Sequence, residues 1–231
     1  MSTSARCFAL VPCAGVGQRA GTAGPKQYAV LAGQPVVAHT LQALSAVLEI
    51  QATLVVLAPD DTWFETQVPL FESLRVWVAR CGGATRAATV GAGLQVLQAR
   101  GAQPQDWVLV HDAARCLLQP VWVQHLIDAC RDDEVGGLLA LPLADTLKQA
   151  AHGRVQATVS RTDKWLAQTP QMFRLGLLQR ALREAGAQVT DEASAIEALG
   201  LAPRLVPGEI ENLKLTWPAD FALAARLMET R

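Results

Sequence analysis

The feature that most limits this chain is an alternation. Short apolar runs of strand length recur from one end to the other between stretches whose apolar residues fall at helical spacing. The runs are Phe8 to Val11, Ala52 to Leu57, Val76 to Ala79, Trp107 to His111 and Gly137 to Leu141. Between and after them, Val90, Leu94 and Leu97, then Trp122, Leu126 and Cys130, then Phe221, Ala224, Leu227 and Met228 mark core-facing helix stripes. Such strand-helix units predict an α/β fold with a mostly parallel, buried central sheet. No fixed-period repeat and no Pro/Ser-rich linker divides the 231 residues, so one domain over 1–231 is expected.

One segment departs from the alternation. From Asp145 to Lys164, polar residues around His152 and Gly153 are flanked by Leu147 and by Val155, Ala157 and Val159 in period two, which predicts a hairpin arm over about 145–165. An arm that leaves a compact α/β core covers a site or grips a second subunit, and a homodimer is the expectation.

Composition narrows the function. With 20 Lys and Arg against 21 Asp and Glu, the net charge is -1, which argues against a broad nucleic-acid surface, so any anion site is local. The six tryptophans are not interleaved with a basic run, so no stacking platform for single strands is expected. Five cysteines (Cys7, Cys13, Cys81, Cys116 and Cys130) are odd in number and widely spaced, and read as reduced thiols of a cytoplasmic protein. The longest charge-free stretch, Gln27 to Leu48, is interrupted by Gly33, Gln34, Pro35, His39 and Gln42 and does not read as a membrane span; Pro12 and Gly15 break the run that a secretion signal would need.

The local anion site falls after the first run. Gly15, Gly17, Gly21 and Gly24 let the backbone approach a ligand closely, and successive N–H groups there can form an anion nest. The first 48 residues hold no Asp or Glu, whereas Arg19 and Lys26 sit within and just after the glycines. Gly15 to Ala20 fits the dinucleotide pattern G-x-G-x-x-A, but no carboxylate follows about 20 residues on to hold a ribose, and Pro25 interrupts the expected helix. That disfavours a dinucleotide-dependent oxidoreductase. No Gly-Lys-Ser/Thr follows, so the P-loop fails as well. What remains is a glycine loop with an Arg and a Lys seven positions apart, suited to a triphosphate and to charge developing on a transferred phosphorus.

Gly-x-Gly-x-Arg followed by Pro25-Lys26-Gln27 resembles the signature of the sugar nucleotidyltransferases. More narrowly, the sequence is similar to the 2-C-methyl-D-erythritol 4-phosphate cytidylyltransferases. The likeness runs from Ala9 to about Leu223 and includes Val110 to Arg115, Asp145-Thr146, Thr169-Pro170-Gln171, Thr190 to Ser194 and Asn212-Leu213-Lys214. The resemblance implies a single Rossmann-like nucleotidyltransferase domain, a dimer held by the arm, and transfer of CMP from CTP to a polyol phosphate with release of pyrophosphate. Ribitol 5-phosphate is the rival acceptor to methylerythritol phosphate, and a nucleotide sensor without turnover is a further rival.

On that resemblance Arg19 and Lys26 stabilise the transition state, Ala14, Gly15 and Gly17 cradle the triphosphate, and Gly82, Gly83 and Thr89 recognise the base. Thr85 and its neighbours read equally well as a helix start. Asp112, one residue past an apolar run at the carboxyl edge of the sheet, can bind Mg²⁺ or orient substrate hydroxyls. Arg115 is expected on the polyol side, and His111 as a packed residue. Arg161 and Lys214 match the pair that positions the acceptor phosphate, Arg161 reaching the partner's site; Thr146 and Thr190 match hydroxyl contacts, although Thr190 to Glu192 is also a good helix start. Four positions depart from the family pattern: Ala84 where an acidic residue is usual, Thr89 where serine is usual, Glu211 where aspartate is usual and Cys116 where proline is usual.

Overall fold

The computed structural model of the chain describes residues 5–15, 24–69, 71–186 and 189–230. Its elements, in chain order, are β1 (Cys7–Cys13), β2 (Val30–Leu31), β3 (Gln34–Pro35), α1 (Val36–Ser45), β4 (Ile50–Leu57), α2 (Phe64–Gln67), β5 (Val76–Ala79) and α3 (Arg86–Ala99). Then follow β6 (Trp107–Val110), α4 (Pro120–Cys130), β7 (Gly136–Pro142), β8 (Leu147–Ala151), β9 (Arg154–Val159) and β10 (Trp165–Arg174). The last elements are α5 (Leu175–Ala185), α6 (Glu192–Glu197), β11 (Arg204–Pro207) and α7 (Pro218–Glu229).

Seven strands form one sheet in the order β11-β7-β10-β6-β1-β4-β5. All neighbours pair parallel except β10, which runs antiparallel to both β6 and β7. The five apolar runs of the sequence are β1, β4, β5, β6 and β7. Two sheet strands were not anticipated. β10 carries the buried polar stretch Gln168, Thr169 and Gln171, which masks its apolar ends, and β11 is a short edge strand in which Val206 alone is buried.

The central strands β1 and β6 are apolar throughout because both faces are covered. Successive residues of β1 point to opposite sides. Cys7, Ala9 and Val11 pack with Leu41 and Leu44 of α1 and Val123 and Leu126 of α4; Phe8 and Leu10 pack with Val90, Leu94 and Leu97 of α3 and Leu175 and Leu178 of α5. A third, smaller cluster joins Leu31, Cys116, Leu117, Leu215 and Ala224 of α7. That cluster returns the end of the chain to the carboxyl edge of β6, where the Leu215 N–H donates to the Ala114 carbonyl at 2.8 Å.

β8 and β9 form a two-stranded antiparallel hairpin, turned through His152 and Gly153 at φ of 49° and 74°. The left-handed pair is the backbone that a tight hairpin turn requires, and glycine takes it without a steric penalty. Except for the half-buried Val159, the strand residues of the hairpin are exposed. Trp165 and Leu166, where the chain re-enters β10, are exposed as well.

Gly136 opens β7 at φ of 106°, and a Cβ there would lie 2.2 Å from the Met172 carbonyl oxygen of β10. Backbone cannot yield as a side chain does. Gly136→Ala is therefore expected to lower stability by about 2 kcal/mol or more, read as a shift of the urea unfolding midpoint.

Candidate active site

A cleft of about 460 Å³ opens at the carboxyl edge of the sheet, where open α/β sheets place ligands. One wall is the loop after β1. Its Cys13 carbonyl accepts from Gln27 Nε2 at 3.1 Å, so the Pro25-Lys26-Gln27 segment is tied to the strand end. Lys26 lies in a single 3₁₀ turn, and its Nζ donates to the Leu215 carbonyl at 2.6 Å. Tyr28 braces that turn from behind, donating to Asp61 Oδ2 at 2.6 Å and packing on Trp63. Trp63 also fills the space beside Gly24, where a Cβ would lie 2.9 Å from the indole.

The opposite wall is the loop from Gly82 into α3. A Cβ on Gly82 would lie 2.3 Å from the Ala14 Cβ, so glycine is what lets the two walls meet. The Gly82 N–H donates to the Leu57 carbonyl at 2.8 Å and the Gly83 N–H to Thr89 Oγ1 at 3.1 Å. Thr85 caps α3 by accepting from the Ala88 N–H at 3.1 Å, and Thr89 Oγ1 donates to the Thr85 carbonyl at 2.9 Å. The helix start is thus built by residues that also line the cleft.

Asp112 forms the floor. Its side chain is nearly buried, yet both oxygens carry a cation: Arg86 Nε donates to Oδ1 at 2.9 Å and Lys214 Nζ lies 2.7 Å from Oδ2. Burial by itself would raise the carboxyl pKa; the charges of Arg86 and Lys214 outweigh it and hold the group well below the usual carboxylate range. Arg86 continues to Glu192, with Nη1 to Oε1 at 2.6 Å and Nη2 to Oε2 at 2.9 Å. Burial pushes the Glu192 carboxyl up, and the Arg86 guanidinium offsets part of that rise.

Behind the floor, His111 is a packed residue, as expected. It is fully buried, with Nδ1 3.1 Å from Thr169 Oγ1 and Nε2 3.2 Å from the Arg115 carbonyl, and burial lowers its pKa to about 4. Thr169 Oγ1 also accepts from the Asp112 N–H at 3.1 Å, which sets the backbone carrying the carboxylate. Arg115 donates to the carbonyls of Asn212 at 2.7 Å and Ala167 at 3.3 Å, while its Nε is buried without a partner. Asn212 Nδ2 donates in turn to the Thr169 carbonyl at 2.8 Å.

Ala14, Gly15, Lys26, Gly83, Thr89, Asp112 and Lys214 therefore line one cleft. Gly82 packs beneath it and Arg115 behind it. Gly17 and Arg19 lie outside the described residues. Besides Arg115, four expected substrate contacts do not line the cleft: Thr146 and Arg161 are exposed at the foot of the hairpin, Arg161 bonded to the Ala144 carbonyl, while Glu211 is half-buried beside Asn212. Thr190 is exposed, its Oγ1 3.3 Å from Ser194 Oγ in the capped start of α6, the helix-start reading of that segment.

Sequence reasoning reaches Arg86 and Glu192 only as members of longer motifs, Arg86 in the Gly82–Arg86 segment and Glu192 in Thr190–Ser194, and gives neither a role of its own. A signal existed for the first. An arginine in the opening turn of a helix faces the positive end of the helix dipole, and such a cation needs a partner.

The family described as IspD, 2-C-methyl-D-erythritol 4-phosphate cytidylyltransferase, matches residues 7–230. A bifunctional IspD/IspF enzyme from Albidiferax ferrireducens is 60% identical over 229 residues, which is 99% of this chain and 54% of that enzyme, so the chain spans about half its length. A 2-C-methyl-D-erythritol 4-phosphate cytidylyltransferase from Laribacter hongkongensis is 56% identical over 96% of both chains. A crystal structure of a 4-diphosphocytidyl-2C-methyl-D-erythritol synthase superposes with a TM-score of 0.88 at 41% identity, covering 98% of this chain and 100% of that one. Fold and sequence agree, and the chain belongs to the 2-C-methyl-D-erythritol 4-phosphate cytidylyltransferase family.

Proposed function

We propose that the cleft transfers CMP from CTP to 2-C-methyl-D-erythritol 4-phosphate, releasing pyrophosphate and forming 4-diphosphocytidyl-2-C-methyl-D-erythritol. Family membership supports the reaction, and the observation that carries its placement is the convergence of Lys26, Lys214, Arg86 and Asp112 on one cleft beside a glycine-lined wall. A phosphate oxygen of the acceptor attacks the α-phosphorus of CTP in line; the new P–O bond forms as the bond to pyrophosphate breaks. No covalent enzyme intermediate is needed, so the work of the protein is orientation and charge neutralisation.

Lys26 and Arg19 serve the triphosphate, with Ala14, Gly15 and Gly17 as its backbone cradle. Gly82, Gly83 and Thr89 form the base side. Lys214 is positioned to reach the acceptor phosphate from its place on Asp112, with Arg115 behind it. Among the described residues no group of three or more His, Cys, Asp and Glu gathers, so no all-protein cage for a cation exists there. One ionised carboxylate plus the phosphates of a substrate is nonetheless a set that suits Mg²⁺, and Asp112 would hold it. When bound, Mg²⁺ would neutralise phosphate charge and so favour the approach of two anionic reactants.

The exposed hairpin supports a homodimer, with Thr146 and Arg161 contributed to the partner's cleft. The continuous sheet supports reading 1–231 as one domain. No described helix is long and apolar enough to cross a membrane, and no disulfide joins the five thiols, which supports a cytoplasmic location.

Pyrophosphate release is the test. Turnover is expected with CTP, Mg²⁺ and methylerythritol phosphate, and not with the other nucleoside triphosphates or with ribitol 5-phosphate; turnover with ribitol 5-phosphate instead would overturn the acceptor. Lys26→Ala and Lys214→Ala should each lower kcat about a hundredfold or more, the cost of losing one preorganised charge partner. For the arm, mixing Lys26→Ala with Arg161→Ala subunits should restore activity, because each mixed dimer keeps one intact cleft. Mixtures no more active than either parent would place Arg161 in its own subunit's site or in none.

A further inference from the structure

We propose that Arg86, clamped by the buried carboxylate of Glu192, is a positioning residue that orients Asp112 for the transfer; this rests on the reading of the cleft given above. Four observations carry it.

Arg86 stands in the first turn of α3, a place where the exposed N–H groups of the helix disfavour a cation, and no acidic residue shares that turn. Helix formation therefore does not account for it. Its guanidinium is planar with two usable edges. One edge meets both oxygens of Glu192, at 2.6 and 2.9 Å, and Nε meets Asp112 Oδ1 at 2.9 Å. A rigid plane bonded along one edge to a fixed carboxylate dictates where a second carboxylate must lie.

The anchor is itself held. Glu192 is 1% exposed and belongs to α6, whose start is fixed by Gln171: Gln171 Nε2 donates to Asp191 Oδ2 at 2.8 Å and its Oε1 accepts from the Ala193 N–H at 2.8 Å. An unpaired carboxylate at such a site would carry a large desolvation cost, so the charge of Glu192 depends on the Arg86 guanidinium.

The two oxygens of Asp112 are held unequally. Oδ1 belongs to the clamp, while Oδ2 belongs to Lys214, whose side chain is 40% exposed and faces the cleft. Oδ2 is thus the oxygen that an incoming hydroxyl or cation meets, and taking it releases the Lys214 ammonium toward the acceptor. The clamp decides which oxygen is exchanged.

The test compares purified Arg86→Lys and Glu192→Gln proteins with wild type by pyrophosphate release and thermal unfolding. Arg86→Lys keeps the charge and loses the plane; Glu192→Gln keeps the shape and loses the anchor's charge. Each is expected to lower kcat tenfold to a hundredfold while KM for CTP changes less than threefold. In an Asp112→Asn background, Arg86→Lys should lower turnover no further, because it acts through that carboxylate. Wild-type turnover tests the reading of the cleft and the variants test the clamp, so the two can fail separately. Unchanged kcat in the variants, a parallel fall of kcat and of CTP binding, or the same loss in both backgrounds would overturn the proposal. Failure of both variants to fold would also overturn it, leaving Arg86 a purely structural residue.

Discussion

A carboxylate buried at the end of a parallel strand does not stay ionised by itself. Asp112 sits one residue beyond His111 and two beyond β6, in a position that desolvates it, and its charge survives because cations from two distant parts of the chain reach it. Much of the local architecture follows. The start of α3 must bring Arg86 up to the floor, α6 must supply Glu192 to balance that arginine, and the turn before Leu215 must fold back to deliver Lys214. The hydrogen bond from Leu215 to Ala114 and the small apolar cluster under α7 hold that last return in register.

The antiparallel strand β10 serves the same end. A strand inserted between β6 and β7 against the parallel direction brings its own polar centre to the carboxyl edge of β6. There Thr169 sets the Asp112 backbone and Gln171 fixes the start of α6. Gly136 permits the close approach of β7 that this insertion needs.

The legibility of these parts in sequence follows their physics. Strands covered by helical layers on both faces carry long apolar runs, so β1, β4, β6 and β7 announce themselves. The hairpin announces itself through Gly153 and the alternation of Val155, Ala157 and Val159. β10 does not, because Gln168, Thr169 and Gln171 are polar for the sake of the site and break the pattern that would identify the strand. The pairing of Arg86 with Glu192 is silent for another reason. The two lie 106 residues apart, and only the fold brings an arginine at one helix start to a glutamate at another. Lys26, Asp112 and Lys214 were legible because glycines, a strand end and a family pattern surround them.

The distribution of thiols has a practical consequence. Cys7, Cys13, Cys116 and Cys130 are buried, and burial pushes the Cys7 and Cys130 thiols up to about 11 and the Cys13 thiol higher still, which suppresses the reactive thiolate. Cys81 alone is half-buried, and its neighbour Gly82 packs against the loop after β1. An alkylating fluorophore offered to the native protein will therefore choose Cys81 first. The chain carries its own single attachment point for an optical reporter beside the seam where the two walls of the cleft touch.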